Sequence, residues 1–334
     1  MDDRRKLKLV VMMSALNEEK TIGRVIDDIP RDMGAPMDVA VVVVDDGSDD
    51  ATRKIAAEKG AIVVQHGRRM GLGRSFADGL ERTLEEGADV VVNMDADGQF
   101  DPRDIPALIR PILEDRADFV TATRFSRKDM VPEMPWIKRW GNKQMCRLVN
   151  FATGTTALTD ASCGFRAYNL KAALHVHLSG GLTHVQETII DLANKGLRIT
   201  EVPLRIRGVR EHGASRVAAF LPRYAFRAGG IVLRTFCRTR PLLFFGVIGG
   251  TIMALGIAQG LVVFAHWCLT RQTSPVRSLL ITASLFITVG FLILVLAFVA
   301  DMLDRITDVS ERLLFYTKLD RYRRQHGDSD SSEL

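Results

Sequence analysis

From Leu7 to Thr123, short apolar runs alternate with longer segments whose apolar positions recur at helical spacing. The runs LKLVVMM (7–13), DVAVVVVDD (38–46), AIVVQ (61–65), ADVVVNMD (88–95) and ADFVTAT (117–123) predict strands. They are short, rich in valine, and apolar at successive rather than alternate positions, the pattern of strands buried on both faces. Helices are predicted between them: one through about Ile29, others over ATRKIAAEKG and GLGRSFADGLERTLEEG, and one from about Asp104 to Asp115. This alternation implies an α/β fold with a mostly parallel sheet covered on both sides. Such sheets bind ligands at the carboxyl ends of their strands.

Beyond Trp136 the pattern loosens into a helix (138–152), an irregular stretch around TDASCGFRAYN, a helix (184–195) and the strand LRITEVPLRI. Residues 216–240 mix arginine with Phe, Leu, Ile and Tyr, and Pro222, Gly229 and Gly230 divide them into short pieces. These are expected to be amphipathic helices lying in a membrane interface. Residues 242–270 and 278–300 then contain no Asp, Glu, Lys or Arg, and each exceeds the ~20 residues a helix needs to cross a bilayer. The connection RQTSPVR is short, so the two spans should form an antiparallel hairpin. Arg234, Arg238 and Arg240 precede it, and Arg305, Arg312, Lys318, Arg321, Arg323 and Arg324 follow it, which puts both flanks and both termini in the cytoplasm.

Four units are therefore expected: a catalytic region (1–215), juxtamembrane helices (216–240), a transmembrane hairpin (241–301), and an amphipathic helix with a disordered tail (302–334). The apolar run Leu9–Met13 is too short for a signal-peptide core. The hairpin and the helix after Asp301 offer surfaces for self-association.

A net charge of +5 could indicate nucleic acid. Between Arg198 and Arg240, however, arginine is opposed only by Glu201 and Glu211, and this excess abuts the first span. Basic residues there favour lipid headgroups and phosphates, and no aromatic-interleaved or zinc motif accompanies them. Cys146, Cys163, Cys237 and Cys268 form no CxxC pair and are expected to be reduced and structural. His175, His177 and His184 are expected to be structural too.

Two acidic clusters follow strand candidates. In NMDADGQFDP, Asp95 and Asp97 stand two residues apart, so an extended segment puts both carboxylates on one side. Gly98 permits a tight turn. Hard cations such as Mg²⁺ or Mn²⁺ are held by one or two carboxylates together with substrate phosphates. A calcium loop is excluded, because counting from Asp95 its sixth and twelfth positions hold Phe100 and Pro106. An acidic turn is the alternative. In VVVVDDGSDDAT, Asp45 and Asp46 end a strand before Gly47, where carboxylates can accept from ribose hydroxyls or a base N–H. Helix capping explains Asp49 or Asp50 but not two acids before the glycine.

SALNEEKTI, VVVVDDGSDDAT, GLGRSFADGL and NMDADGQFDP, followed by ATRF, DASCGFRAY, QETIIDLANKGLRITEVPL and REHGASR, occur in one order. This order resembles the inverting glycosyltransferases of GT-A fold, in the polyprenyl-phosphate branch that includes dolichol-phosphate mannose synthase. The resemblance covers roughly residues 7–240. It implies transfer of one sugar from a UDP- or GDP-linked donor to a membrane polyprenyl phosphate. It also implies a nucleotide-sugar site at Ser14, Leu16, Glu18, Asp45, Asp46, Asp95 and Ala96, and Mg²⁺ or Mn²⁺ at Asp95, Asp97 and Gln99. Arg124 would hold the acceptor phosphate with Arg139, Arg207 and Arg216, and Asp97 and Arg124 would carry the chemistry. Taken singly, each arginine reads equally well as a headgroup contact or surface charge. Pro and Tyr usually stand where this chain has Ser14 and Leu16.

Two other readings compete. A processive polysaccharide synthase needs a QxxRW segment, but WIKRW (136–140) has Trp136 in place of Gln, and two spans make no channel. A silent nucleotide-sugar scaffold would not need Asp95, Asp97 and Arg124 together.

Overall fold

The computed structural model describes residues 6–132, 134–154, 158–176, 184–207, 241–272, 274 and 276–326. The chain forms two compact units, Met1–Ala228 with Leu314–Leu334, and Gly229–Leu313.

The first unit is built on β1 (Leu7–Ala15), β2 (Met37–Asp45), β3 (Ile62–Gln65), β4 (Val90–Asp95), β5 (Phe119–Thr123), β6 (Arg166–Asn169) and β7 (Ile199–Pro203). They form one sheet in the order β3-β2-β1-β4-β6-β5-β7. All neighbouring pairs run parallel except those of β6, which is antiparallel to β4 and β5. The helices are α1 (Ile22–Asp27), α2 (Thr52–Glu58), α3 (Leu72–Glu85), α4 (Ile105–Leu113), α5 (Trp136–Thr153), α6 (Leu170–His175) and α7 (His184–Asn194). The continuous apolar runs have the expected cause. Leu9, Val11 and Met13 of β1 enter a core with α1 and α4, whereas Val10 and Met12 enter a second core with α3, α6 and α7. Both faces are covered, so no position alternates to polar.

The stretch around DASCGFRAY, expected to be irregular, contains β6. Its four residues include Arg166, which is 1% exposed. The Arg166 Nε donates to Cys163 O at 2.9 Å, and the guanidinium lies 5.5 Å from the Phe119 ring centroid. A strand this short that buries an arginine has no apolar pattern to betray it. Cys146 and Cys163 are free and buried, and burial pushes their thiols up to about 11 and about 12. Cys237 and the segment 216–240 lie outside the described residues, as does the tail after His326.

The second unit contains α8 (Pro241–Thr270) and the first part of α9 (Arg277–His326), both long and apolar enough to cross a membrane. They approach closely at glycines. A Cβ on Gly249 would come 2.9 Å from Gly290 O, and one on Gly256 would come 2.9 Å from Ala283 O. Residues rising along α8 thus meet residues descending along α9, and the two helices pack antiparallel. Thr282 Oγ1 donates to Gln259 Oε1 across it at 3.1 Å.

The expected amphipathic helix after Asp301 is not separate, because α9 runs unbroken to His326. Its last turns belong to the first unit. There Phe315, Leu319 and Tyr322 are buried, Phe315 lies 4.1 Å from the His175 ring, and Arg321 bridges Glu81 and Glu85 of α3.

Candidate active site

The chain proceeds outward from β1 through β2 to β3, then crosses back to lay β4 on the other side of β1. The strand order therefore reverses between β1 and β4, and a crevice for ligands opens at such a point. Register places the acidic clusters around it, with Ser14 opposite Asp95 and Ala15 opposite Asp45. Ser14, Leu16, Glu18, Asp45, Asp46, Asp95 and Ala96 thus gather at three adjacent strand ends.

The loops there are stitched to one another. Glu18 N donates to Thr52 Oγ1 at 2.8 Å, Asn17 N to Ser48 Oγ at 2.9 Å, and Thr21 Oγ1 to Ala96 O at 2.8 Å. Asp45 Oδ1 accepts from Ser48 N at 3.1 Å, closing the turn at Gly47. Asp46 turns inward. It accepts from Met70 N at 2.7 Å and Gly71 N at 2.9 Å, and lies 2.9 Å from His66 Nδ1. Burial pushes its carboxyl up, but the imidazole and the two N–H donors outweigh that and hold it below the usual range.

Asp95 is half-buried and Asp97 is 2% exposed. Asp97 Oδ1 accepts from Gln99 N at 3.0 Å, bending the loop over Gly98, whose φ is +73°. Gly164 lies beside Asp95, a Cβ there making ordinary contact with Asp95 Oδ2 at 3.7 Å. The carboxylates of Asp95 and Asp97 and the amide oxygen of Gln99 form an oxygen ligand set that suits Mg²⁺ or Mn²⁺ completed by phosphate oxygens. Asp101 has a local task, accepting from Arg103 N to cap the following turn.

Arg124 follows β5. Register aligns Asn93, Arg166 and Thr121 across β4, β6 and β5, so Arg124 reaches the same sheet edge as Asp95–Asp97. The intervening strand sets the two about 10 Å apart. Its Nε and Nη2 donate to Asp160 Oδ2 and Oδ1 at 2.6 and 2.9 Å, a fork gripping a fully buried carboxylate. Burial alone would push the guanidinium down, and Asp160 instead raises it above its ordinary value. Glu201 of β7 accepts from Thr159 N and Asp160 N, and burial raises its carboxyl. After β7 the chain crosses the strand ends, Leu204 N donating to Thr123 O and Arg207 N to Gln99 O at 3.2 Å. Arg207 thus arrives beside the Asp97 loop. Arg24, Arg103, Arg205 and Arg207 line a cavity of about 740 Å³ there, with Gln99, Asp28, Asp101 and Asp104. Arg139 is exposed in the first turns of α5, and Arg216 lies outside the described residues.

Residues 10–176 match the family model for glycosyl transferase family 2. The chain belongs to that family. Among curated relatives of this family 2 glycosyltransferase is the UDP-N-acetylglucosamine–dolichyl-phosphate N-acetylglucosaminyltransferase of Methanococcus voltae. It is 32% identical over 59% of this chain and 84% of the relative. The undecaprenyl-phosphate mannosyltransferase of Micrococcus luteus is 30% identical over 59% of this chain and 81% of the relative. Among solved structures, glucosyl-3-phosphoglycerate synthase from Mycobacterium tuberculosis, in complex with Mn²⁺, UDP and glucosyl-3-phosphoglycerate, superposes with a TM-score of 0.52. It is 25% identical, covering 69% of this chain and 80% of that one. The glycosyltransferase has a GT-A fold.

Sequence reasoning missed His66, Asp160 and Glu201. His66 had a signal, since it follows the β3 run as Asp46 follows β2. Asp160 and Glu201 are recognisable only once β5, β6 and β7 are paired.

Proposed function

We propose that the protein transfers one sugar, with inversion, from a nucleotide-diphosphate sugar to a polyprenyl phosphate at the cytoplasmic membrane face. The observation that carries this reading is the meeting of acidic turns and guanidinium groups on one sheet edge, in a chain that also carries two helices apolar enough to span a bilayer. The names of the two curated relatives support it.

In this reading Ser14, Leu16, Glu18 and Asp45 line the nucleotide end of the crevice together with Ala96. Asp95, Asp97 and Gln99 hold Mg²⁺ or Mn²⁺, which when bound supplies positive charge for the departing diphosphate. Arg124 and Arg207, with Arg139 and Arg216, bind the acceptor phosphate. A phosphate monoester has a second pKa of about 6 and is already a nucleophile at neutral pH, so no general base is required. The protein's own contribution is alignment. Asp160 fixes the plane of Arg124, and the hydrogen bond to Gln99 O fixes Arg207 beside the reacting end of the donor.

The test is incubation of the purified protein with a panel of UDP- and GDP-sugars and undecaprenyl phosphate, following glycolipid by mass spectrometry and its anomeric configuration by NMR. An inverted monosaccharide lipid is expected, abolished by excess EDTA and restored by Mg²⁺ or Mn²⁺. Full activity in EDTA would remove the metal from the reading, and absence of product with every donor would remove the reaction.

A further inference from the structure

The end of β3 carries a buried histidine that the donor site described above does not use. His66 Nδ1 lies 2.9 Å from Asp46 Oδ1, and its Nε2 lies 3.0 Å from Asp78 Oδ2 on α3. Arg74 Nε also donates to Asp78 Oδ2, at 2.8 Å. The imidazole thus bridges the two carboxylates, one at each ring nitrogen. Asp46 in turn holds the far end of the loop that His66 begins, through the N–H groups of Met70 and Gly71. The middle of that loop rests on the Gly47 turn. A Cβ there would come 3.0 Å from both Arg68 C and Arg69 N, and φ at Gly47 is +81°.

Gly67, Arg68, Arg69 and Met70 are exposed and add nothing to the core. Buried charged groups seldom add net stability, because desolvation offsets their attraction. A network of two carboxylates and an imidazole that secures only an exposed loop is thus poorly explained as a brace for the fold. It is well explained if the position of the loop matters. The loop abuts the Gly47 turn that follows Asp45 at the end of β2, so it borders the nucleotide end of the crevice.

We propose that the Asp78–His66–Asp46 relay is a positioning device for the donor, fixing loop 67–71 with Arg68 and Arg69 against the nucleotide end of the crevice. This rests on the donor-site reading above, and assigns Asp46 to the loop rather than to direct contact with the nucleotide.

The test uses full-length His66→Ala, His66→Gln and Asp78→Asn proteins in detergent. Donor KM, acceptor KM and kcat are measured separately, and hydrogen exchange is followed in peptides spanning 66–72. Loss of the hydrogen bonds to two carboxylates predicts a rise of about tenfold or more in donor KM for His66→Ala. The acceptor KM and kcat should stay within about threefold, and His66→Gln, which retains one donor, should recover part of the loss. Exchange should quicken at 66–72 and not in β1 or β4. An unchanged donor KM, or a joint fall of all parameters with exchange quickened throughout the sheet, would overturn the proposal. If His66→Ala does not fold, Asp78→Asn carries the same comparison. If the wild type makes no glycolipid, UDP and GDP remain as probes. Slowed exchange at 66–72 in the wild type but not in the variants would support the relay alone, and no slowing by either nucleotide would sink it.

Discussion

Arg124 is held by a partner that is more deeply buried than itself. Asp160 is fully enclosed and accepts from the Arg124 guanidinium through both oxygens, as well as from the N–H groups of Ser162 and Arg124, so Asp160→Asn removes the compensating charge and leaves the cation in place. Breaking such a pair from one side is expected to cost about 3–5 kcal/mol, measurable as a lowered unfolding free energy in detergent. Arg124→Ala would strand the carboxylate instead. Arg124→Lys, which keeps the charge without the planar fork, is therefore the better probe of acceptor binding, with transfer expected to fall while nucleotide affinity persists. Asp118 provides a test by pH. Burial raises its carboxyl, but the Arg198 side chain and N–H reverse that and lower it below its ordinary value. Its ionised form then favours folding above pH ~4, and this contribution fades as pH falls through the lower, folded value. The stability gap between wild type and Asp118→Asn should be widest at neutral pH and narrow below about pH 4 in thermal melts.

At the scale of elements, most of the sheet was legible because its cause is local. A strand covered on both faces has no reason to alternate, and β1, β2 and β4 are written as unbroken apolar runs. The acidic turns at Asp45 and Asp95 were legible for the same reason, since the runs end at them. β6 was not, because an antiparallel strand holding a buried arginine is specified by its neighbours rather than by its own sequence. The partners of Arg124 and Asp46 were hidden likewise, lying 36 and 20 residues away across loops. Gly47 is where element and site meet. Gly47→Ala would put a Cβ into a left-handed turn at about 1–2 kcal/mol and against the Arg68–Arg69 backbone. The expected result is a raised donor KM with the sheet intact by circular dichroism.

For the molecule as a whole, the last turns of α9 are part of the catalytic unit rather than a tail. Phe315, Leu319 and Tyr322 pack beside α3 and α6, and Tyr322 Oη lies 3.4 Å from Ala88 O. Ending the chain after Leu313 would expose the surface they cover. At about 1.5–3 kcal/mol for each buried side chain, a fall in melting temperature of about 10 °C or more is expected by calorimetry. The glycines between α8 and α9 bear on the second unit. In lipid, helices gain nothing from hiding apolar surface and are held by close contact of small residues. A saturation scan of the hairpin should therefore return an uneven tolerance map. Most outward positions would accept any greasy residue, while Gly249, Gly256 and Gly290 would reject even alanine, two of these forbidden sites falling on one stripe of the first helix and one on the second.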